Sequence, residues 1–148
     1  MTAIWIPGQV MSKKNAKQIF SKSLYSVKKG KQVTVPFISS SKQYKAWVES
    51  LKWVWIQHRP KWLDAIKGQP LPLIIGMHFV RRDKSMFDFN NMSQGIMDEI
   101  KTAQWIPGDD IRNIYAIPVA NVEGEIFSID PKEPGVWLYP IKSITINY

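Results

Sequence analysis

Two periods in the hydrophobic pattern predict where the helices and strands of this chain lie. The clearest helical stripe, with the spacing of one face of an α-helix, consists of Tyr44, Trp47, Val48, Leu51, Val54 and Trp55. We expect the serines at 39–41 to supply its cap and the helix to end before Pro60. A second helix is predicted from Asn90 to Thr102, because its apolar positions repeat at every fourth residue.

Alternating and unbroken apolar runs predict the strands. Leu71 to Val80 is apolar on both sides and is therefore expected to be a central strand, with His78 as a satisfied core residue. A polar, basic connector, 13–23, leads to a hairpin, 24–27 and 32–37, whose tip carries lysines. The other predicted strands are 4–11 with a turn at Pro7-Gly8, 111–120, 125–129, 136–139 and 141–148. The order βββ-α-β-α-βββ, in which 136–139 and 141–148 count as one strand, predicts one α+β domain over 1–148, with two main helices on a mixed sheet.

Charge is unevenly distributed along the 148 residues, whose net charge is +8. Before the first acid, Glu49, the chain carries only lysines as charged residues: Lys13, Lys14, Lys17, Lys22, Lys28, Lys29, Lys31, Lys42 and Lys45. Such a segment serves either solubility or contact with a polyanion, and its interleaved serines and amides favour nucleic acid. The chain has no cysteine, no secretory leader pattern and no apolar run near the roughly 20 residues that span a bilayer. We therefore expect a cytoplasmic protein with no membrane contact.

Acidic and amide side chains cluster in the second half of the chain. Asp88 opens the second predicted helix, where Asn91, Gln94 and Asp98 share one polar face, and the pair Asp109-Asp110 precedes the next strand. If the predicted strands 71–80 and 111–120 are neighbours, these groups would converge at one edge of the sheet. They could then hold Mg²⁺ or Mn²⁺, which prefer oxygen ligands. The alternative is structural: a helix cap, a turn and a solvated helix face.

In this order and spacing, the motifs resemble the RusA family of Holliday-junction resolvases over residues 4 to about 120. The resemblance is carried by Ile6-Pro7-Gly8, Ser12-Lys13-Lys14-Asn15, Ser41-Lys42-Gln43-Tyr44-Lys45, the run from Asp88 to Asp98, and Trp105-Ile106-Pro107-Gly108-Asp109-Asp110-Ile111. It implies a Mg²⁺-dependent endodeoxyribonuclease that acts as a homodimer on four-way DNA junctions. Water attack on phosphorus would leave a 3′-hydroxyl and a 5′-phosphate.

Carried over residue by residue, the resemblance assigns a catalytic set: Asp88, Asn90, Gln94 and Asp110. The implied metal ligands are Asp88, Asn90, Asp109 and Asp110, with Asp98 as a further supporting acid. The expected DNA contacts are Lys13, Lys14, Asn15, Lys17, Arg81 and Arg82.

Two positions depart from the family pattern. Asn90 stands where the family has an aspartate, and Gln94 stands where it has a lysine. Arg82, Lys84 or Lys101 are candidates to replace the missing cation. The alternative function is therefore a DNA-binding protein of RusA fold that has lost its metal centre. A third hypothesis is an unrelated α+β domain whose aspartates only cap and turn.

Overall fold

A computed structural model of the protein describes residues 2–11, 17–40, 42–106 and 113–142. Within these ranges, seven strands and two helices follow the order βββ-α-β-α-βββ, as predicted. In chain order they are β1 (Ile4–Pro7), β2 (Lys17–Ser26), β3 (Lys31–Ser40), α1 (Lys42–Ala65), β4 (Leu73–Arg81), α2 (Phe89–Thr102), β5 (Ile114–Pro118), β6 (Phe127–Ile129) and β7 (Gly135–Ile141). The predicted α+β class, with two helices and a mixed sheet, is confirmed.

The main sheet is built around β4. Its strand order is β1-β7-β4-β5, and β6 pairs with the last three residues of β4. β7 runs antiparallel to both β1 and β4, whereas β5 and β6 run parallel to β4. β4 is buried along almost its whole length, which agrees with the central strand that its unbroken apolar pattern predicts.

The hydrophobic core lies between one face of the sheet and the two helices. Alternate residues of β4 belong to this core: Leu73, Ile75, Met77 and Phe79. The predicted helical stripes supply the facing side chains, which are Tyr44, Trp47, Leu51 and Trp55 of α1 and Met92, Ile96 and Ile100 of α2. The polar face of α2 is thereby turned away from the core.

α1 continues through Pro60 to Ala65, so the prediction that it ends before Pro60 is wrong. Trp62 is fully buried and stacks on Trp105, with ring centroids 5.5 Å apart. Trp105 Nε1 donates to the carbonyl of Trp55 at 2.9 Å, which ties the chain after α2 to α1. Losing a buried tryptophan costs about 3–5 kcal/mol, at least as much as the roughly 3 kcal/mol cost of an interior proline. The packing of Trp62 therefore outweighs the helix-breaking effect of Pro60.

β2 and β3 form a separate two-stranded sheet, and the predicted hairpin is confirmed. The prediction that residues 17–23 are a connector is wrong, because they extend β2 by pairing with residues 34–40. β7 likewise runs through Pro140 to Ile141, so the boundary predicted there is wrong. Ser41 and residues 143–148 lie outside the described residues.

Candidate functional site

The candidate site lies where the chain leaves β4 and enters α2. Asp88 is the N-cap of α2, with extended backbone angles of φ −92° and ψ 117°. Its Oδ1 accepts hydrogen bonds from the backbone N–H groups of Asn90, at 2.8 Å, and Asn91, at 3.3 Å. The Asp88 side chain is exposed, and its Oδ2 has no donor among the residues described. Asp88 therefore caps the helix with one oxygen, and its side chain is exposed among the described residues.

A pocket of about 260 Å³ opens beside Asp88. Its walls come from the segment after β1, the end of β4 with the following loop, and the first turn of α2. The lining residues are Gln9, Val10, Met11, Arg81, Met86, Phe87, Asp88, Asn91 and Met92. The pocket therefore combines one carboxylate, one guanidinium and the positive end of a helix.

Arg81 forms part of the buried wall of this pocket and is only 9% exposed. Its Nη1 donates to the carbonyl of Val10 at 3.2 Å, and its guanidinium carbon lies 5.0 Å from the centre of the Phe87 ring. Its Nε is buried without an acceptor in the described part of the chain. Burial lowers the pKa of Arg81, and the charge of Asp83 opposes that shift. Because guanidinium is a very weak acid, the pocket wall carries a fixed positive charge at neutral pH.

The two arginines that the sequence predicts as DNA contacts differ in exposure. Arg82 is exposed, and its backbone N–H donates to Gln9 Oε1 at 3.0 Å. Arg81 is buried in the pocket wall, where a phosphate that enters the pocket would meet it. Of the other predicted DNA contacts, Lys17 begins β2, whereas Lys13, Lys14 and Asn15 lie outside the described residues.

The polar face predicted for α2 is present, but it does not gather into one site. Asn90 and Gln94 are exposed, whereas Asn91 and Asp98 are half-buried. Asp98 lies ten residues beyond Asp88, a helical rise of about 15 Å, so the two carboxylates cannot share one metal ion. Asp98 instead faces α1 together with Glu99. Burial, reinforced by these two carboxylates, raises the pKa of Tyr44 to about 12.

Asp109 and Asp110 lie outside the described residues, between Ile106 and Asn113. The chain resumes beside the start of β4, where the carbonyl of Asn113 accepts a hydrogen bond from Leu73 N–H at 2.8 Å. β4 and β5 are neighbours but run parallel, so the start of β5 and the end of β4 are at opposite ends of β4. The nine residues of β4 span about 26 Å. Asn113 therefore lies at the opposite end of β4 from Asp88. The expected convergence of Asp109 and Asp110 with Asp88 stays a prediction, because both aspartates lie outside the described residues.

Within the described ranges, no three side chains of the types His, Asp and Glu are grouped as a metal site. Asp88 is the carboxylate that lines the pocket, and Asn91 is a further lining residue with a side-chain amide. His78 contributes nothing there: its Nδ1 is 2.7 Å from the carbonyl of Val119 and its Nε2 is 2.6 Å from Ser128 Oγ. The expectation that His78 is a satisfied core residue is confirmed.

Sequence reasoning missed the position of Arg81 in the pocket wall. The core-facing residues of β4 alternate through Leu73, Ile75, Met77 and Phe79. The same period, continued by one step, places Arg81 on the core side and Arg82 on the opposite side. The signal was therefore present, although the run Arg81-Arg82-Asp83-Lys84 has the composition of an exposed loop.

Comparisons of this chain with models of known protein families, with curated proteins and with solved structures find no match. Within the described residues, neither helix is both long and apolar enough to cross a membrane.

Proposed function

We propose that this protein is a RusA-like, metal-dependent endodeoxyribonuclease that cuts four-way DNA junctions. The observation that carries the proposal is the pocket in which Asp88, Arg81 and the N-terminus of α2 meet. A carboxylate that can hold a divalent cation beside groups that attract an anion is the combination that phosphodiester hydrolysis needs. The excess of lysine in the first 48 residues would hold the polyanionic substrate.

Asp88 and Asn91 are the two residues lining the pocket that we propose as ligands of Mg²⁺ or Mn²⁺. Mg²⁺ in nucleic-acid enzymes is commonly bound by one or two carboxylates and completes its coordination with water and substrate phosphate oxygens. Asp88 Oδ2 and the Asn91 amide oxygen would hold the ion in this pocket, and we propose Asn90, Asp109 and Asp110 as further ligands. When bound, the ion would polarise a phosphate oxygen and lower the pKa of a water molecule.

The protein's own contribution at this site is charge and orientation. Arg81 is fixed by Val10 and Phe87, so its positive charge is in place before substrate arrives. A preorganised cation of this kind stabilises negative charge that develops on the phosphate. Gln94 has no charge and is exposed on α2. We therefore propose that Arg81 supplies the positive charge that the family obtains from a lysine.

Resolution of a four-way junction requires two opposed nicks, and a homodimer with a two-fold axis supplies two sites in that arrangement. We therefore propose that the protein acts as a dimer. The alternative function is a junction-binding protein without turnover. Asn90 and Gln94 favour it because they lack the charges found at the family positions, and the capping bonds of Asp88 already give this residue a structural role.

Metal binding separates these two functions. The enzyme should be stabilised by Mn²⁺, because a ligand that binds only the folded state raises the melting temperature by mass action. At a Mn²⁺ concentration 100-fold above Kd, the gain is about 2.7 kcal/mol, or roughly 5–10 °C for a chain of this size. Asp88→Asn should remove the shift, while Asp64→Asn, an exposed carboxylate on α1, should keep it.

Other results would contradict the metal assignment. An equal shift in the wild type and in Asp88→Asn would place the ion elsewhere. No shift in the wild type, with one appearing in Asn90→Asp, would support the non-catalytic alternative.

A further inference from the structure

The hairpin of β2 and β3 forms a two-stranded sheet that is separate from the main sheet. The two strands pair antiparallel from Lys17↔Ser40 to Ser26↔Lys31, ten residues each, and Gly30 in the turn has a φ of 62°. At about 3.3 Å per residue, the hairpin is about 30 Å long. Between residues 21 and 36, each described side chain is exposed or half-exposed. We call this two-stranded segment, residues 17–40, the ribbon.

The two faces of the ribbon differ in chemistry. From the pair Ser21↔Pro36 to the turn, one face carries polar side chains and Pro36, namely Ser21, Ser23, Tyr25, Gln32 and Thr34, and the register places Ile19 and Ile38 on the same face farther from the turn. The opposite face carries Leu24, Val33 and Val35 with Ser26 and Lys31. Isolated two-stranded hairpins are at best marginally stable in water. A ribbon with Tyr25 at 66% exposure and Val27 at 88% exposure therefore presents a surface suited to a binding partner.

Charge identifies the chemistry of that partner. The ribbon contains five lysines, Lys17, Lys22, Lys28, Lys29 and Lys31, and no aspartate or glutamate. The three lysines at the tip, Lys28, Lys29 and Lys31, are exposed. Hydroxyl and amide groups on one face, next to a cluster of cations, match the sugars, phosphates and base edges of a nucleic acid. An acidic protein surface would satisfy the lysines but would make less use of the hydroxyl and amide face.

We propose that the ribbon is a DNA-binding arm that enters the major groove of duplex DNA with its polar face inward. The major groove is about 12 Å wide and admits a two-stranded ribbon. The polar part of the ribbon, from Ser21 to Ser26, is about 17 Å long, which matches about half of the roughly 34 Å turn of the duplex. Lys28, Lys29 and Lys31 contact the phosphates that border the groove. The inference rests on the proposed function only in taking DNA as the substrate, and it requires neither a metal ion nor cleavage.

The test is DNA affinity in EDTA, measured by fluorescence anisotropy with a labelled duplex and a labelled four-way junction over a series of salt concentrations. The ribbon variant is Lys28→Ala with Lys29→Ala and Lys31→Ala. Its control, Lys52→Ala with Lys67→Ala and Lys132→Ala, removes the same charge from exposed positions elsewhere. We expect the ribbon variant to bind at least 10-fold more weakly and its salt slope to fall by about 2.7, the value for three phosphate contacts. The control should change affinity less than threefold.

A second pair of variants tests which face meets the DNA. Tyr25→Ala with Gln32→Ala removes a directly opposed pair from the polar face. Val33→Thr with Val35→Thr keeps side-chain shape on the other face. Only the first should weaken binding, and the circular dichroism of both should match that of the wild type.

The outcomes distinguish this inference from the proposed function. If the wild type binds DNA and the ribbon and control variants bind it with equal affinity, the inference about the ribbon alone is overturned. DNA binding that depends on the ribbon, without cleavage, would overturn the nuclease alone. If the wild type binds neither the duplex nor the four-way junction, both the inference about the ribbon and the proposed function are overturned. Loss of a dimer in the ribbon variants, with DNA affinity unchanged, would make the ribbon a protein interface and overturn the inference.

Discussion

Asp88 is proposed to have two roles, which two substitutions can separate. Asp88→Ala removes the oxygen that accepts from the N–H groups of Asn90 and Asn91. Asp88→Ala loses the charge of the carboxylate as well as this cap, and the cap alone is worth about 1 kcal/mol, so Asp88→Ala should melt roughly 2–4 °C below Asp88→Asn. Asp88→Asn keeps an oxygen in the capping position and loses only the favourable charge at the helix N-terminus, about 0.3–1 kcal/mol.

The two variants should therefore differ in stability but share one functional defect. Urea denaturation gives the free energy of unfolding of each variant, and nicking of a four-way junction in Mg²⁺ gives its activity. We expect both variants to lose cleavage by at least 100-fold, because neither retains the anionic ligand. Full activity in Asp88→Asn would refute the metal-ligand role and leave Asp88 as a helix cap. Equal stability of the two variants would refute the capping argument.

Three further predictions follow from other described contacts. Arg81→Met removes a buried charge whose Nε has no acceptor among the described residues. The free energy of unfolding should therefore stay within about 1 kcal/mol of the wild-type value or rise, while junction cleavage falls at least 10-fold. A parallel fall of stability and cleavage would indicate a structural role only. Tyr44 has a folded-state pKa of about 12, against 10.0 in the unfolded chain. Its contribution to the free energy of unfolding, about 3 kcal/mol, is therefore complete below pH 10 and is lost as pH rises through 12. The difference in unfolding free energy between the wild type and Tyr44→Phe should follow this course, and a constant difference would contradict it. Gly135→Ala would place a methyl group against the ring of Trp5 and the carbonyl of Ile6, so urea denaturation should show a loss of about 3 kcal/mol or more, and a loss below 1 kcal/mol would contradict the close approach.

Most of the fold could be predicted from the sequence because its hydrophobic periods are regular. The stripe of α1 indicated the correct element and the correct buried side, and the unbroken apolar run of β4 indicated a central strand. Where the prediction failed, a distant partner decided the outcome. Trp62 packs against Trp105 and carries α1 past Pro60, and residues 17–23 become a strand because residues 34–40 pair with them. Neither partner is apparent from the local pattern.

The candidate site was predictable in part. The position of Asp88 at the start of a helix follows from its place between a strand and an amphipathic segment, and the structure confirms it as the N-cap. The expected convergence of Asp109 and Asp110 with Asp88 stays a prediction, because those two residues lie outside the described ranges and spacing along the chain does not give the direction of β5 relative to β4. The parallel pairing of these strands separates the end of β4 from the start of β5. Arg81 lies in the pocket wall because the alternation of β4 continues one step past Phe79, its last core-facing apolar residue.

The most direct test of the proposed function is cleavage of an end-labelled, immobile four-way junction by the wild-type protein in Mg²⁺ and in Mn²⁺. We predict paired nicks placed symmetrically across the branch point, with 5′-phosphate ends, which disappear in EDTA and in Asp88→Asn but persist in Asp64→Asn. An intact junction under all these conditions, despite tight binding, would contradict the nuclease and establish the non-catalytic alternative. Nicks that persist in Asp88→Asn would show that the reaction takes place away from the pocket at the end of β4.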